Sequence, residues 1–264
     1  MDSRRAGLAY YLRSNLGDVL VITFDRPQQL NAMPASMFGK LVDEFNDLRG
    51  ARAVLLKGSG RAFCSGADVR VVSREATPGD QMYAALTESC NPVLLAMAEL
   101  DVPIVSAVRG AAAGIGCSLA LAADFCLASD TAYFLQAFVN IGLVPDGGAS
   151  WSLPRIVGRA RALEMMLLGE RISAATALTW GMIHKIVADQ VLDAEALALA
   201  ERLARGPTLA YGAIRQQLYA AQDGSYAMAL AREAKNQRRV GNTTDAAEGT
   251  LAFLQKRSPQ FEGK

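Results

Sequence analysis

The chain has 264 residues, of which 51% are apolar and 20% charged, with 27 Lys and Arg against 26 Asp and Glu. This balance excludes the strongly basic surface that is typical of nucleic-acid-binding domains, and no apolar run reaches the roughly 20 residues needed to cross a bilayer. Because Met1–Arg5 is not followed by an apolar segment of the secretory type, we expect a cytoplasmic protein that binds neither nucleic acid nor membrane.

Strand-like runs in the first half of the chain are separated by helical segments. The run VLVITF at Val19–Phe24 is rich in β-branched residues and ends at a proline turn, which is typical of a strand. Pro34 then begins a segment with apolar residues at helical spacing, and Gly79–Leu100 is also predicted to be helical. The predicted strands are Val19–Phe24, Ala53–Leu56, Ile104–Val108 and Phe125–Ala128, with a further extended piece within Tyr133–Leu143.

Strand signals nearly vanish from Ala149 onward, and the remainder has helical periodicity. Strands that alternate with helices indicate an α/β domain with a largely buried sheet. We therefore predict an α/β core over residues 1–200 and a helical region over residues 201–264. The predicted C-terminal helices are Ala160–Leu168, Ala174–Trp180, Val191–Ala204, Pro207–Ala221 and a final pair within Tyr226–Lys256.

Two loops rich in small residues, Arg61–Val69 and Gly114–Ser118, each follow a predicted strand and precede a helix. Such loops expose backbone N–H groups at a helix N-terminus, where negative charge is favoured. Two such donors that meet at one point form an oxyanion hole for a carbonyl oxygen that gains charge, as a thioester oxygen does on enolisation. The alternatives are simple tight turns or a phosphate site, which is disfavoured because neither loop has a dinucleotide or P-loop glycine pattern.

The four cysteines give no metal-binding pattern, because none of them forms a CxxC pair. In a chain without a secretory signal they are predicted to be reduced and buried thiols. They are Cys64, Cys90, Cys117 and Cys126.

Four segments resemble, in chain order, the motifs of the crotonase (enoyl-CoA hydratase/isomerase) family. They are DRPQQLNA at Asp25–Ala32, AFCSGADV at Ala62–Val69, AVRGAAAGIGC at Ala107–Cys117 and FLQKRSP at Phe253–Pro259. The resemblance covers the chain from about residue 10 to residue 262. It implies a spiral of ββα units with a helical C-terminal trimerisation region, assembled as a homotrimer or as a hexamer formed by two trimers.

The resemblance also implies an acyl-CoA thioester substrate, whose oxygen would accept hydrogen bonds from the N–H groups of Ala67 and Ile115. Coenzyme A is then part of the substrate, and no separate cofactor or metal is expected. The residues that the resemblance assigns to coenzyme A are Arg26, Ala62, Phe63, Ser65, Asp68, Val69, Gly114, Phe253 and Lys256.

The acidic residues help to decide between the two reactions of the family, hydration and isomerisation. Hydratases of this family use two glutamates, and the corresponding positions here are Ser118 and Phe138. Neither side chain replaces a carboxylate base. Asp146 stands where isomerases of the family carry a single proton-shuttling carboxylate, although a Pro-Asp-Gly turn is also a common structural feature. We therefore favour an isomerase with Asp146 as its base.

The segments Phe134–Asp146 and Leu153–Leu163 resemble the ring-epoxyphenylacetyl-CoA isomerase branch of the family. This resemblance implies either a double-bond shift in an enoyl-CoA or the conversion of an aromatic ring epoxide to an oxepin, as in fatty acid or aromatic acid catabolism. Two alternatives stay open at this point: a hydratase with atypical acids, and a catalytically silent acyl-CoA-binding homologue.

Overall fold

The computed structural model describes residues 10–68 and 77–264, and their strands form two sheets. The strands are Tyr11–Leu16 (β1), Val19–Phe24 (β2), Ala53–Gly58 (β3), Ile104–Val108 (β4), Ala111–Ala113 (β5), Phe125–Ser129 (β6), Tyr133–Leu135 (β7), Ile172–Ser173 (β8) and Lys185–Val187 (β9). The larger sheet has the order β1-β2-β3-β4-β6-β9 and is parallel except for β1 against β2. The smaller sheet has the order β5-β7-β8, with β5 parallel to β7 and β8 antiparallel to it.

Helices follow most of the strands and make up nearly all of the C-terminal quarter. A π-helical turn, Leu86–Cys90, joins the second helix to the third, and Gly158 interrupts the fifth with a φ of 77°. Every helix in the described residues is too short or too polar to span a bilayer. The α-helices are Ala35–Asn46 (α1), Pro78–Ala85 (α2), Asn91–Glu99 (α3), Ile115–Leu121 (α4), Ala149–Leu168 (α5), Ala174–Thr179 (α6), Leu192–Ala204 (α7), Thr208–Ala221 (α8), Tyr226–Val240 (α9) and Thr244–Leu254 (α10).

The inner strands β2, β3, β4 and β6 of the larger sheet are buried on both faces, which explains why they are almost continuously apolar. Along β2, Leu20, Ile22 and Phe24 point into the main core, whereas Val19 and Val21 point to the opposite face. Helix α7 covers this opposite face, since its buried residues recur every four positions. They are Leu192, Ala196, Ala200 and Ala204.

Several elements differ from the sequence prediction. The sequence does not predict β1, because it is an edge strand with mostly exposed, polar residues. It places β5 in a loop, since an alanine run has little intrinsic strand preference and becomes a strand only by pairing with β7. The extended piece predicted within Tyr133–Leu143 ends at Leu135, and Ala137–Ile141 is a 3-10 helix. β8 and β9 lie beyond Ala149, where almost no strand is predicted, and α5 starts eleven residues earlier than expected.

Hydrogen bonds from partly or fully buried side chains hold the C-terminal segment against the rest of the chain. Arg52, just before β3, donates hydrogen bonds to the carbonyl oxygens of Gly206 (2.6 Å) and Phe261 (3.0 Å). Asp245 is 4% exposed and accepts the backbone N–H of Glu262 at 2.7 Å. The predicted division of the chain after residue 200 stays a prediction, and α7 runs continuously across that point.

Candidate active site

The two small-residue loops lie side by side. The N–H of Cys64 donates to the carbonyl of Ala111 at 3.0 Å, and the N–H of Ala113 donates to the carbonyl of Cys64 at 2.9 Å. A Cβ placed on Gly116 would lie 2.6 Å from the Cys64 carbonyl oxygen, and one on Gly114 would lie 3.9 Å from Cα of Gly66. The first loop is therefore joined by β-type hydrogen bonds to β5, which leads into the second loop, and contacts the second loop itself at its glycines.

The two N–H groups assigned to the oxyanion hole have no acceptor of their own among the described residues. Ile115 is the first residue of α4, so its N–H has no carbonyl one turn earlier in the helix. Ala67 is exposed, and its N–H likewise donates to no backbone or side-chain oxygen of the described residues. In this part of the chain each of the two N–H groups therefore keeps its hydrogen-bonding capacity unused.

Asp146 lies next to the second loop, in the turn before α5. Its carbonyl oxygen accepts hydrogen bonds from the N–H of Ala149 (3.1 Å) and from the hydroxyl of Ser118 (3.3 Å), which fix the backbone. Its side-chain oxygen Oδ1 is buried and has no hydrogen-bond partner among the described residues. Burial raises the pKa of this carboxyl to about 6.

The two positions at which hydratases carry glutamates also lie at this site. Ser118 contacts Asp146 through its hydroxyl group. The ring of Phe138 faces Gly114, because a Cβ on that glycine would meet Phe138 Cζ at 3.4 Å. Ile115 packs against the Asp146 turn as well: a Cβ added to Gly147 would lie 2.7 Å from Cδ1 of Ile115. The carboxyl group in this place is thus that of Asp146, beside the side chains of Ile115, Ser118 and Phe138.

Cys90 lies close enough to Asp146 for the charge of Asp146 to act on its thiol, which the sequence does not reveal. It ends the π-helical turn Leu86–Cys90, a feature that often occurs at functional sites. Burial raises the pKa of its thiol to about 12, and the negative charge of the neighbouring Asp146 contributes to that rise. The thiol is therefore protonated at neutral pH. No sequence signal marks it, because it meets Asp146 only through the packing of segments that are far apart in the chain.

The other cysteines are buried free thiols, as predicted. Burial raises the pKa values of Cys64 and Cys117, beside the two oxyanion positions, to about 12. A thiol that stays protonated is a poor nucleophile, so these residues form walls of the site. The described residues contain no group of three or more His, Cys, Asp and Glu side chains that could hold a metal ion.

The residues assigned to coenzyme A by resemblance fall into two places, and the first is the loop at Ala62–Asp68. Arg26 pairs with Asp68 at 3.0 Å, which ties this loop to the Asp25–Ala32 segment. Ala62 and Phe63 are 1% and 0% exposed, so the chain itself covers both their side chains and their backbone. Ser65 donates its hydroxyl to the carbonyl of Gln29 at 3.3 Å.

The second place is the end of α10. Phe253 is 83% exposed and lies over a hollow formed with Pro207, Leu209 and Phe261. Lys256 comes just after the end of α10, and its backbone has a positive φ of 53°. No residue of the two oxyanion loops lines this hollow among the described residues. Val69 lies outside the described residues, and Gly114 is part of the second loop.

The sequence profile of the family described as "Enoyl-CoA hydratase/isomerase" matches residues 15–264. The chain belongs to the enoyl-CoA hydratase/isomerase family. It is 44% identical to a "Probable enoyl-CoA hydratase" of Rhodobacter capsulatus over 92% of this chain and 94% of that protein. It is 39% identical to the 1,2-epoxyphenylacetyl-CoA isomerase of Escherichia coli over 93% of this chain and 95% of that enzyme.

Solved structures of the enoyl-CoA hydratase/isomerase family share the architecture. The crystal structure of an enoyl-CoA hydratase from Mycobacterium smegmatis superimposes with a TM-score of 0.88 at 30% identity, over 96% of this chain and 99% of that one. An enoyl-CoA hydratase from Bacillus anthracis gives a TM-score of 0.90 at 27% identity, over 97% of this chain and all of that one. The crotonase fold expected from the four motifs is confirmed.

Proposed function

We propose that this member of the enoyl-CoA hydratase/isomerase family is an acyl-CoA isomerase in which Asp146 moves a proton between two carbon atoms. The observation that carries the proposal is the unpartnered, buried Oδ1 of Asp146, with the carboxyl pKa raised to about 6. A base with a pKa just below neutral is ionised at pH 7 and still accepts and returns a proton readily. Ser118 and Phe138, at the two glutamate positions, leave Asp146 as the base beside the oxyanion loops.

For a 3-enoyl-CoA, the ionised Asp146 removes a proton from C2, and the electron pair of that C–H bond moves toward the thioester oxygen. The N–H groups of Ala67 and Ile115 stabilise the resulting dienolate, each contributing about 3 kcal/mol in the transition state. The protonated Asp146 then returns its proton to C4, which gives the 2-enoyl-CoA. All electrons stay in the substrate, so the step consumes no redox equivalent.

Two substrate types fit the same base and oxyanion hole. The 39% identity with a 1,2-epoxyphenylacetyl-CoA isomerase favours a ring epoxide, and the 30% identity with a trans-2-decenoyl-[acyl-carrier-protein] isomerase of Streptococcus mutans favours a double-bond shift. Both reactions are isomerisations that develop negative charge at a thioester oxygen. The proposal therefore concerns the isomerase chemistry that the two substrates share.

The second candidate is hydration, which is favoured by the 44% identity with a protein named as a hydratase. Water addition needs one group to activate the water and another to deliver a proton, and Ser118 and Phe138 supply neither. The test is to offer the enzyme 3-hexenoyl-CoA and crotonyl-CoA in parallel. We expect isomerisation of the first and no measurable hydration of the second. Hydration of crotonyl-CoA without isomerisation would reverse the assignment, and turnover of neither would favour a silent acyl-CoA-binding protein.

The pH dependence follows from the raised pKa of Asp146. The base acts in its ionised form, so kcat/KM for isomerisation should be level above pH 7 and fall about tenfold per pH unit below pH 6. A profile measured from pH 4.5 to pH 9 with 3-hexenoyl-CoA checks this. A profile that stays flat through pH 6 would remove Asp146 as the base.

The assembly is expected to be a homotrimer or a hexamer. The last helices carry large apolar side chains in contact with solvent, which soluble chains usually cover by association. Among them Tyr226 on α9 is 79% exposed, and Leu254 on α10 is 72% exposed. Light scattering at micromolar concentration should give three or six times the chain mass of 28.1 kDa. A monomer mass would contradict this expectation.

A further inference from the structure

The Leu30–Met33 turn, between β2 and α1, has an unusual backbone. Leu30 and Asn31 are consecutive non-glycine residues with positive φ angles of 51° and 59°. This left-handed conformation is uncommon for residues other than glycine, although asparagine adopts it more readily than leucine does. Strained backbone of this kind persists only where the surrounding structure holds it, and it clusters at functional sites. The contacts of the turn lead to the first loop, which carries Ala67.

The side chain of Asn31 joins three separate pieces of backbone. Its Nδ2 atom donates to the carbonyl oxygens of Ser59 at 2.9 Å and of Ala62 at 2.7 Å. Its Oδ1 atom accepts the N–H of Arg26 at 2.8 Å, and the residue is 1% exposed. A short side chain that offers two donors and an acceptor is specific to asparagine. Asn31 thus ties the turn to the corner after β3 and to the first loop.

Met33, two residues later, holds the peptide group that contains the Ala67 N–H. The N–H of Met33 donates to the Gly66 carbonyl, and the Met33 carbonyl accepts the N–H of Asp68, both at 2.9 Å. The peptide group between Gly66 and Ala67 is planar and trans, so its C=O and N–H point in opposite directions. The bond from Met33 to the Gly66 carbonyl therefore fixes the direction of the Ala67 N–H.

The two oxyanion donors are held in different ways. Ile115 begins α4, and the regular backbone of that helix sets the direction of its N–H. Ala67 itself lies outside the helices and strands of the described residues, in an isolated β-bridge with Met33. The carbonyl of Leu30 also accepts the N–H of Ser65 at 2.9 Å. Asn31 stands between these two backbone partners of the loop, so a change at residue 31 would move both.

We propose that Asn31 is a positioning residue of the active site, whose carboxamide fixes the direction of the Ala67 N–H through the Leu30–Met33 turn. Asn31 acts through Met33 and not by contact with the substrate. The inference rests on the proposed function, because Ala67 is there a donor to the thioester oxygen. It gives the asparagine of the DRPQQLNA segment a part in that reaction.

The variant Asn31→Gly removes the three side-chain hydrogen bonds and keeps the backbone conformation, since glycine adopts a φ of 59° without strain. We expect kcat for 3-hexenoyl-CoA isomerisation to fall about 100-fold, the usual effect of a misplacement of about 1 Å at a reacting centre. KM should change by less than about threefold, because the bond to the thioester oxygen is stronger in the transition state than in the ground state.

Infrared difference spectroscopy reports on the oxyanion hole directly. The ligand is hexanoyl-CoA with an isotopic label at the thioester carbonyl carbon, a saturated thioester that has no double bond to isomerise. Hydrogen bonds to a carbonyl oxygen weaken the C=O bond and lower its stretching frequency. The bound carbonyl should therefore absorb at a higher frequency in Asn31→Gly than in the wild type. This measurement does not depend on turnover.

A milder substitution, Asn31→Ser, decides the question if Asn31→Gly does not fold. A hydroxyl group has one donor hydrogen and bonds to at most one of the Ser59 and Ala62 carbonyl oxygens. The folded Asn31→Ser enzyme should show a smaller loss of kcat, about tenfold, and an intermediate carbonyl frequency. Wild-type kcat and frequency in this variant would overturn the inference.

The matched control is Asp124→Ala, which also removes hydrogen bonds that join separate segments. The Asp124 carboxylate accepts the N–H of Ile104 at 2.7 Å and Nε of Arg215 at 2.8 Å. Ile104 begins β4, and the first loop bonds to Arg109, beyond the other end of that strand. Asp124→Ala should lower stability toward urea, as Asn31→Gly does, but leave kcat and the carbonyl frequency unchanged.

The outcomes separate a positioning role from a structural one. Folded Asn31→Gly that loses stability but keeps the wild-type kcat and carbonyl frequency would make Asn31 a structural residue and overturn the inference. A fall in kcat without a change of the carbonyl frequency would also overturn it, since the effect would not pass through the oxyanion hole. Failure of the proposed function would appear separately, as a wild type that does not isomerise 3-hexenoyl-CoA. The frequency change in Asn31→Gly would then still support the positioning of Ala67.

Discussion

Replacing Asp146 by Asn should lower kcat for 3-hexenoyl-CoA isomerisation by at least about 100-fold, the usual scale of general acid–base catalysis. The amide has nearly the same shape as the carboxyl group but takes up no proton. The hydrogen bonds from Ala149 and Ser118 go to the backbone carbonyl of residue 146 and are retained. KM for the substrate should therefore change little, because the two oxyanion loops are untouched.

The same substitution should make the protein more stable, which distinguishes a catalytic base from a structural residue. The pKa of Asp146 is about 6 in the folded chain, against about 3.9 for an unperturbed Asp. Between these two values the folded state binds more protons than the unfolded state, so stability falls as pH rises from about 4 to about 6. Above pH 6 the full cost of the buried charge is present, and Asp146→Asn removes it.

At pH 8, the free energy of unfolding of Asp146→Asn should exceed that of the wild type by up to about 3 kcal/mol, and at pH 4 the difference should disappear. Urea unfolding at the two pH values measures this. Asp130→Asn is the matched control, since Asp130 is exposed, and it should alter neither activity nor stability. A variant at residue 146 that loses stability at pH 8 together with activity would indicate a structural role for the carboxylate.

The site can be predicted from sequence where it depends on local chain geometry. The two loops and the segment between them depend on glycines that the backbone requires: Gly114, in the second loop, has a φ of 54°, and Gly110, just before β5, has a φ of 55° and packs directly against the carbonyl oxygen of Arg61. Only glycine adopts such conformations at low cost. The family motifs retain these glycines, so the loops can be located without coordinates.

What the sequence does not predict depends on contacts between distant segments. The unpartnered Oδ1 of Asp146 and the effect of the Asp146 charge on the Cys90 thiol both arise where segments far apart in the chain pack together. Strands such as β5 and β8 are two or three residues long and exist only through their partners in the smaller sheet. A short stretch of sequence does not show which distant strand it pairs with. The long apolar strands β2, β3 and β4, in contrast, are evident from composition alone.

Adding one methyl group at Gly116 should have the second large effect on catalysis. Its Cβ would lie 2.6 Å from the carbonyl oxygen of Cys64 and 2.7 Å from Cys64 Cβ. Neither atom is the end of a flexible side chain, so the backbone of one loop has to move. Gly116 directly follows the Ile115 N–H, and Cys64 lies three residues before Ala67. The displacement therefore separates the two donors of the oxyanion hole.

Gly116→Ala is expected to lower kcat about 100-fold, the cost of a misplacement of about 1 Å at a reacting centre, and to destabilise the fold by about 1 to 3 kcal/mol. Gly39→Ala is the matched control, because Gly39 lies in α1 and a Cβ added there would have no other atom within 4 Å. It should leave kcat unchanged and stabilise α1 by up to about 1 kcal/mol. Circular dichroism verifies folding, and isomerisation of 3-hexenoyl-CoA gives the rates. If folded Gly116→Ala retained the wild-type kcat, the stabilisation of the enolate would not depend on the spacing of these two loops, and the oxyanion hole assigned to Ala67 and Ile115 would be wrong.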